Sequence, residues 1–173
     1  MAPMFPAPRR VVTGHDDQGN AIYVDDRQIE PQPTGFDCDF AVLYETHRFP
    51  ASNDVWEDPI EQSTKSLAND KGVVIRIVDF KPNTKTRFHR TMSLDFGIIF
   101  EGEMVCYLDN GVELTLKRGD VCVQRGTIHG WENKTDKPAR VYFVLTAADP
   151  VNVNGKLLTT TGFHDKEAET GGK

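Results

Sequence analysis

The stretch LDFGIIFEGEMVCYLDNGVELTLKRGDVCVQR, Leu94 to Arg125, decides the fold. It holds four short runs rich in β-branched and aromatic residues, at 94–100, 104–109, 112–116 and 121–124. Turn chemistry separates them: Glu101-Gly102-Glu103, Asn110-Gly111 and Lys117-Arg118-Gly119-Asp120. Asn-Gly between two apolar runs is the strongest short hairpin signal, because both residues accept positive φ. Working outward, VVIRIVDF (73–80) ends at the turn Lys81-Pro82-Asn83, HGWEN (129–133) leads into a polar turn at 134–138, and ARVYFVLTA (139–147) forms another strand. About seven strands thus fall between Val73 and Ala147, each bounded by turn residues. Such spacing predicts an antiparallel sandwich or barrel.

On the N-terminal side, two apolar stretches flank Gly19-Asn20 and predict a hairpin over 9–26. Residues 27–39 read as loop, Phe40–Thr46 as a strand, and the polar segment 50–71 as containing a short helix over 60–69. The expected organisation is a flexible arm (1–8, with three prolines), an N-terminal extension of strands and loops (9–71), the barrel (72–148) and a C-terminal segment (149–173) with a frayed end.

A chain of 173 residues fits one domain and can bury a core without staples. Its formal net charge of -6 argues against non-specific binding to nucleic acid or to an anionic membrane, since both need a positive field. No apolar run approaches the roughly 20 residues that span a bilayer. The first ten residues, MAPMFPAPRR, lack the apolar stretch of a signal peptide, so a cytoplasmic location is expected. Cys38, Cys106 and Cys122 are an odd number with no paired spacing, and they read as buried thiols.

His89, Thr91 and Asp95 share parity along an extended segment, so alternation puts them on one face. His129 follows a glycine-containing turn on a separate strand. Two histidines and a carboxylate can hold a divalent ion on one side and leave the other open. Spacing alone also leaves the bland alternative open, because a lone strand histidine is more often structural.

Two segments resemble the paired motifs of the cupin superfamily. The first family motif runs Gly, five residues, His-x-His, three or four residues, Glu, six residues, Gly. Here it runs Asn83, five residues, His89-Arg90-Thr91, three residues, Asp95, six residues, Gly102. The second family motif runs Gly, five residues, Pro-x-Gly, two residues, His, three residues, Asn. Here Gly119 precedes Gln124-Arg125-Gly126, His129 and Asn133, with the first gap one residue short. The phrase HRTxSLD…EGE…GD…QRGTxHGWxN is similar to a subgroup of small single-domain cupins found in fungal and bacterial biosynthetic gene clusters.

The resemblance implies an all-β antiparallel double-stranded β-helix, a jelly-roll barrel, with an N-terminal strand extension. It implies one divalent ion held by His89, Asp95 and His129, with iron(II) favoured over zinc, manganese or nickel. The departures are Thr91 for the second histidine, Asp95 for glutamate, Asn83 for glycine and Gln124 for proline. Asn tolerates the left-handed region, so Asn83 is a mild change. Because a hydroxyl is a poor ligand, Thr91 would hydrogen-bond a metal-bound water or substrate, or mark a lost metal. In the latter case His89 and Asp95 would form an acid–base pair.

The implied function is a metal-dependent enzyme acting on a small organic acid, phenolic or polyketide-like metabolite. Oxidoreductase chemistry of the dioxygenase type comes first, with His89, Thr91, Asp95 and His129 as the catalytic set. A decarboxylase, dehydratase or isomerase using the same residues is the alternative, and a non-catalytic ligand-binding cupin is the second. Arg76, a charge in an apolar strand, would bind a substrate anion or lie on the outer face. Trp131 shares parity with His129 and would line the pocket or pack in the core. The partners implied are a small-molecule substrate and a second copy in a homodimer.

Overall fold

The turn residues named above set the strand ends. The structure, a computed structural model, describes residues 3–162. The C-terminal tail expected to fray, with His164, lies outside the described residues. β1 (Arg9–His15) and β2 (Ala21–Gln28) form the N-terminal hairpin. A six-stranded antiparallel sheet has the order β3 (Gln32–Pro33), β4 (Cys38–Glu45), β5 (Val73–Phe80), β11 (Ala139–Ala147), β6 (Ser93–Glu101), β9 (Val121–Arg125). A three-stranded sheet has the order β10 (His129–Glu132), β7 (Glu103–Leu108), β8 (Glu113–Lys117). A last hairpin pairs β12 (Val151–Val153) with β13 (Lys156–Leu158). β4 pairs with β5, so the N-terminal extension adds strands to the main sheet.

The core lies between the two sheets. Ile99 and Val141 from one meet Met104, Leu116 and Trp131 from the other in a single apolar cluster. Each such side chain, once buried, stabilises by roughly 1.5–3 kcal/mol. Alternation along β6 decides which residues reach the interior: Ser93, Asp95, Gly97 and Ile99 are buried, while Phe96 between them is only half-buried. Gly97 sits where a Cβ would come within 3.0 Å of Phe143 and 3.2 Å of Trp131, so the aromatic pair occupies the space a side chain would need. Asn83 takes φ +54°, the left-handed turn conformation expected of a glycine substitute.

One expectation is corrected. The segment 60–69 is not a helix beyond one 3₁₀ turn at Pro59–Gln62, capped by Asp58. Beyond it, the backbone N–H of Thr64 donates to Glu45 and that of Ser66 to the Thr64 hydroxyl, so local polar partners replace helical ones. Within the described part of the arm, Phe5 and Pro6 both meet Arg140. Pro6 O accepts from Arg140 Nη1 at 2.8 Å, and the Phe5 ring lies under the same guanidinium. Arg140 itself makes a buried two-bond ion pair with Asp79, at 2.6 and 2.7 Å.

Candidate functional site

Between the sheets lies a cavity of about 60 Å³, lined by Arg76, His89, Thr91, Asp95, Gln124 and Trp131 among others. A wider vestibule of about 580 Å³ adjoins it, and the two share Phe40, Leu67, Arg76 and Thr91. His129 lines the cavity too, so the six residues singled out in the sequence, Arg76, His89, Thr91, Asp95, His129 and Trp131, all border it.

Backbone pairing brings the two histidines together. His89 N donates to His129 O at 2.9 Å and His129 N to His89 O at 3.0 Å, a hydrogen-bonded antiparallel bridge. Residues opposite one another in such a pair project to the same face, and the two rings lie 4.4 Å apart, edge to face. Each Nδ1 faces a carbonyl: Arg87 O at 3.1 Å and Thr127 O at 3.0 Å. A carbonyl only accepts, so each Nδ1 carries the proton and the lone pair falls on Nε2. Burial lowers the pKa of His89, and burial with the neighbouring His89 lowers His129 to about 4. Both rings are therefore neutral at physiological pH.

The carboxylate sits on β6, just beyond the segment that holds His89. The Ser93 hydroxyl donates to Thr91 Oγ1 at 2.7 Å, and Thr91 donates to Asp95 Oδ2 at 3.1 Å. These alternate residues share one face, as their parity predicts. Burial raises the Asp95 pKa to about 6, opposed by the Ser93 and Thr91 hydroxyls and by the charge of Arg76. Gln124 stands directly opposite Asp95 in the β6–β9 register. The sequence reading missed Gln124 as a site residue and noted it only as a replaced proline. Its parity with Cys122 in VCVQ was the available signal for an inward-facing side chain.

Arg76 lies in the barrel, not on the outer face, and is 6% exposed. Its Nη2 donates to Ser66 O at 3.0 Å. Burial lowers its pKa to about 10, against the attraction of Glu45 and Asp95, so it stays charged.

Four buried side-chain polar atoms among the described residues lack a hydrogen-bond partner: Arg76 Nε, Asp95 Oδ1, Gln124 Nε2 and Trp131 Nε1. All four residues line the cavity. Folded proteins pair nearly all such atoms, so four on one cavity mark a place shaped for something else to bind.

A model of the cupin domain matches residues 76–145. Oryzines biosynthesis cluster protein J of Aspergillus oryzae is 35% identical over 89% of this chain and 90% of its own. A cupin-domain-containing oxidoreductase of Neurospora crassa is 34% identical over 91% of this chain and 82% of its own. The chain belongs to the cupin family. The cupin domain of Schizosaccharomyces pombe Cnp3 shares its fold, with TM-score 0.52 at 10% identity over 95% of this chain and 96% of that one.

Cupins are expected to hold a metal. The two imidazoles are side by side with their lone-pair nitrogens fixed. Among the described residues, however, no three His, Cys, Asp or Glu side chains converge as a metal-holding group. Asp95, one methylene shorter than the family glutamate, is held by Thr91, which replaces the second histidine. Two imidazoles are fewer protein donors than the three of a facial triad. The residues of this cupin, as arranged, do not form the expected site. No helix among the described residues is long and apolar enough to cross a membrane.

Proposed function

We propose that this cupin is an enzyme that binds a small organic acid or acidic phenol through Arg76 and Gln124 and exchanges a proton with it at Asp95. The four unpartnered polar atoms on one cavity carry this reading. Each would cost about 1–3 kcal/mol if left unmatched. Three are donors and one is an acceptor, which complements a ligand rich in acceptor oxygens that also presents a proton.

The roles follow from the chemistry of each group. Arg76 is a buried, permanently charged donor, suited to a carboxylate or phenolate. Gln124 and Trp131 add neutral N–H donors. Asp95, with a pKa near 6, populates both protonation states close to neutrality, as a proton-transfer group requires. His89 and His129 stay neutral and leave the substrate's charge to Arg76. The Neurospora relative is named an oxidoreductase. Removal of a proton from an enolisable carbon needs no oxidant, and Asp95 would accept that proton. Enolisation returns the proton to a different atom of the same substrate, and in decarboxylation the protonated Asp95 would donate to the carbanion that CO2 leaves behind.

The test is deuterium exchange. The protein is incubated in D₂O with a panel of 2-oxo acids, 3-oxo acids and hydroxybenzoates, and incorporation is followed by NMR. Exchange with at least one acid should fall by about 100-fold in Asp95→Asn. Exchange that is equal in parent and variant would refute the role of Asp95.

A further inference from the structure

The inner cavity, at about 60 Å³, is less than half the size of the roughly 150 Å³ apolar cavity that holds benzene. That volume suits one carboxylate or carbonyl group and is too small for a ring or chain. The vestibule, at about 580 Å³, falls within the range of ligand sites. Arg76 and Thr91 border both spaces. Leu67, Ala68, Met92 and Phe40 supply apolar surface to the vestibule, and Lys65 and Arg90 also line it.

Leu67 sits on a strap, residues 64–69, that is clasped at both ends by one side chain. Glu45, 1% exposed, accepts from Thr64 N at 2.8 Å and from Asn69 Nδ2 at 2.6 Å. Midway, Ser66 O accepts from Arg76. Leu67 and Ala68 pack against the main core cluster. The strap thus stands as a wall shared by the two spaces, fixed by Glu45 from β4 and Arg76 from β5.

We infer that the vestibule is the subsite for the apolar body of a monoacid substrate whose oxygenated head alone enters the inner cavity, and that the strap clasped by Glu45 sets this division. This rests on the anion reading proposed above. Glu45 is a positioning residue: it acts on the ligand through Leu67.

Titration calorimetry with the straight-chain acids from propanoate to nonanoate at pH 6 tests it. In the parent, each methylene buried in the vestibule should tighten binding by about fourfold until the space is filled. The ratio of nonanoate to propanoate affinity should fall by about tenfold in Leu67→Ala and in Met92→Ala. It should also fall in Glu45→Gln, which keeps the side-chain shape but weakens the clasp. Gln124→Leu, which removes a head-group donor that does not touch the strap, should weaken every acid and preserve the ratio. Affinity independent of chain length in the parent, or a ratio unchanged in both Leu67→Ala and Met92→Ala, would overturn the subsite while leaving the anion site standing. Failure of every acid to bind the parent would overturn the anion site itself, and the subsite with it.

Discussion

Asp95 on β6 stands directly opposite Gln124 on β9, and each carries a buried polar atom with no hydrogen-bond partner. One is an acceptor and the other a donor, yet they do not satisfy each other. Asp95 instead accepts from Thr91 through its other oxygen. The pair therefore presents an acceptor and a donor side by side to the cavity, ready for a ligand that carries both complements.

The first prediction concerns stability. Burial raises the Asp95 pKa from 3.8 to about 6 in the folded state. A carboxyl raised this way contributes stability that is full below about pH 3.8 and lost as the pH rises through 6. At pH 8 the buried carboxylate costs about 3 kcal/mol relative to its neutral form. Asp95→Asn should therefore be more stable than the parent at pH 8, by at most that amount, and the two should converge near pH 4. Urea denaturation at both pH values checks this.

A second concerns the pH dependence of binding. An anion held at Arg76 lies beside Asp95, so the bound state favours the protonated carboxyl. Affinity for a short organic acid should fall as the pH rises through 6, by up to about tenfold per pH unit. The dependence should flatten in Asp95→Asn. Calorimetric titrations between pH 5 and 8 would show a flat parent profile if the two groups do not share a ligand.

A third concerns the glycine beneath the aromatic pair. The Cβ of Gly97→Ala would lie 3.0 Å from the Phe143 ring and 3.2 Å from Trp131. Neither large ring can move freely in a packed interior. The expected loss of stability is about 1–3 kcal/mol, together with weaker acid binding as Trp131 shifts. Unchanged denaturation and binding would mean that the rings have room the structure does not show.

A fourth concerns metal removal. Among the described residues only two imidazoles converge, so dialysis against EDTA should leave acid binding and deuterium exchange unchanged. Activity lost on chelation and restored by iron or manganese would mean that Asp95 leaves Thr91 to complete a ligand set with His89 and His129.

The barrel strands were legible because their ends are written in turn residues. Val73–Phe80 and Ala139–Ala147 match the sequence reading at both ends, and the Asn110-Gly111 turn joins β7 to β8 as expected. β3, β12 and β13 were not legible, being two or three residues long with too little alternation to register. The segment 60–69 misled because its fate is decided by Glu45, some twenty residues away in sequence. At the site, parity along 89–95 located His89, Thr91 and Asp95, and the second motif located His129. That Asp95 stands opposite Gln124 and feels the charge of Arg76 depends on the β6–β9 register and on the place of β5 in the sheet. Neither is visible along the chain.

The most direct test is a crystal structure of the protein with a short organic acid bound, such as propanoate. The expected complex places the acid's oxygens within hydrogen-bond distance of Arg76 Nε and Gln124 Nε2, with Asp95 Oδ1 beside the ligand. An acid bound elsewhere, with those atoms still unpartnered, would contradict the assignment of this cavity as the substrate site.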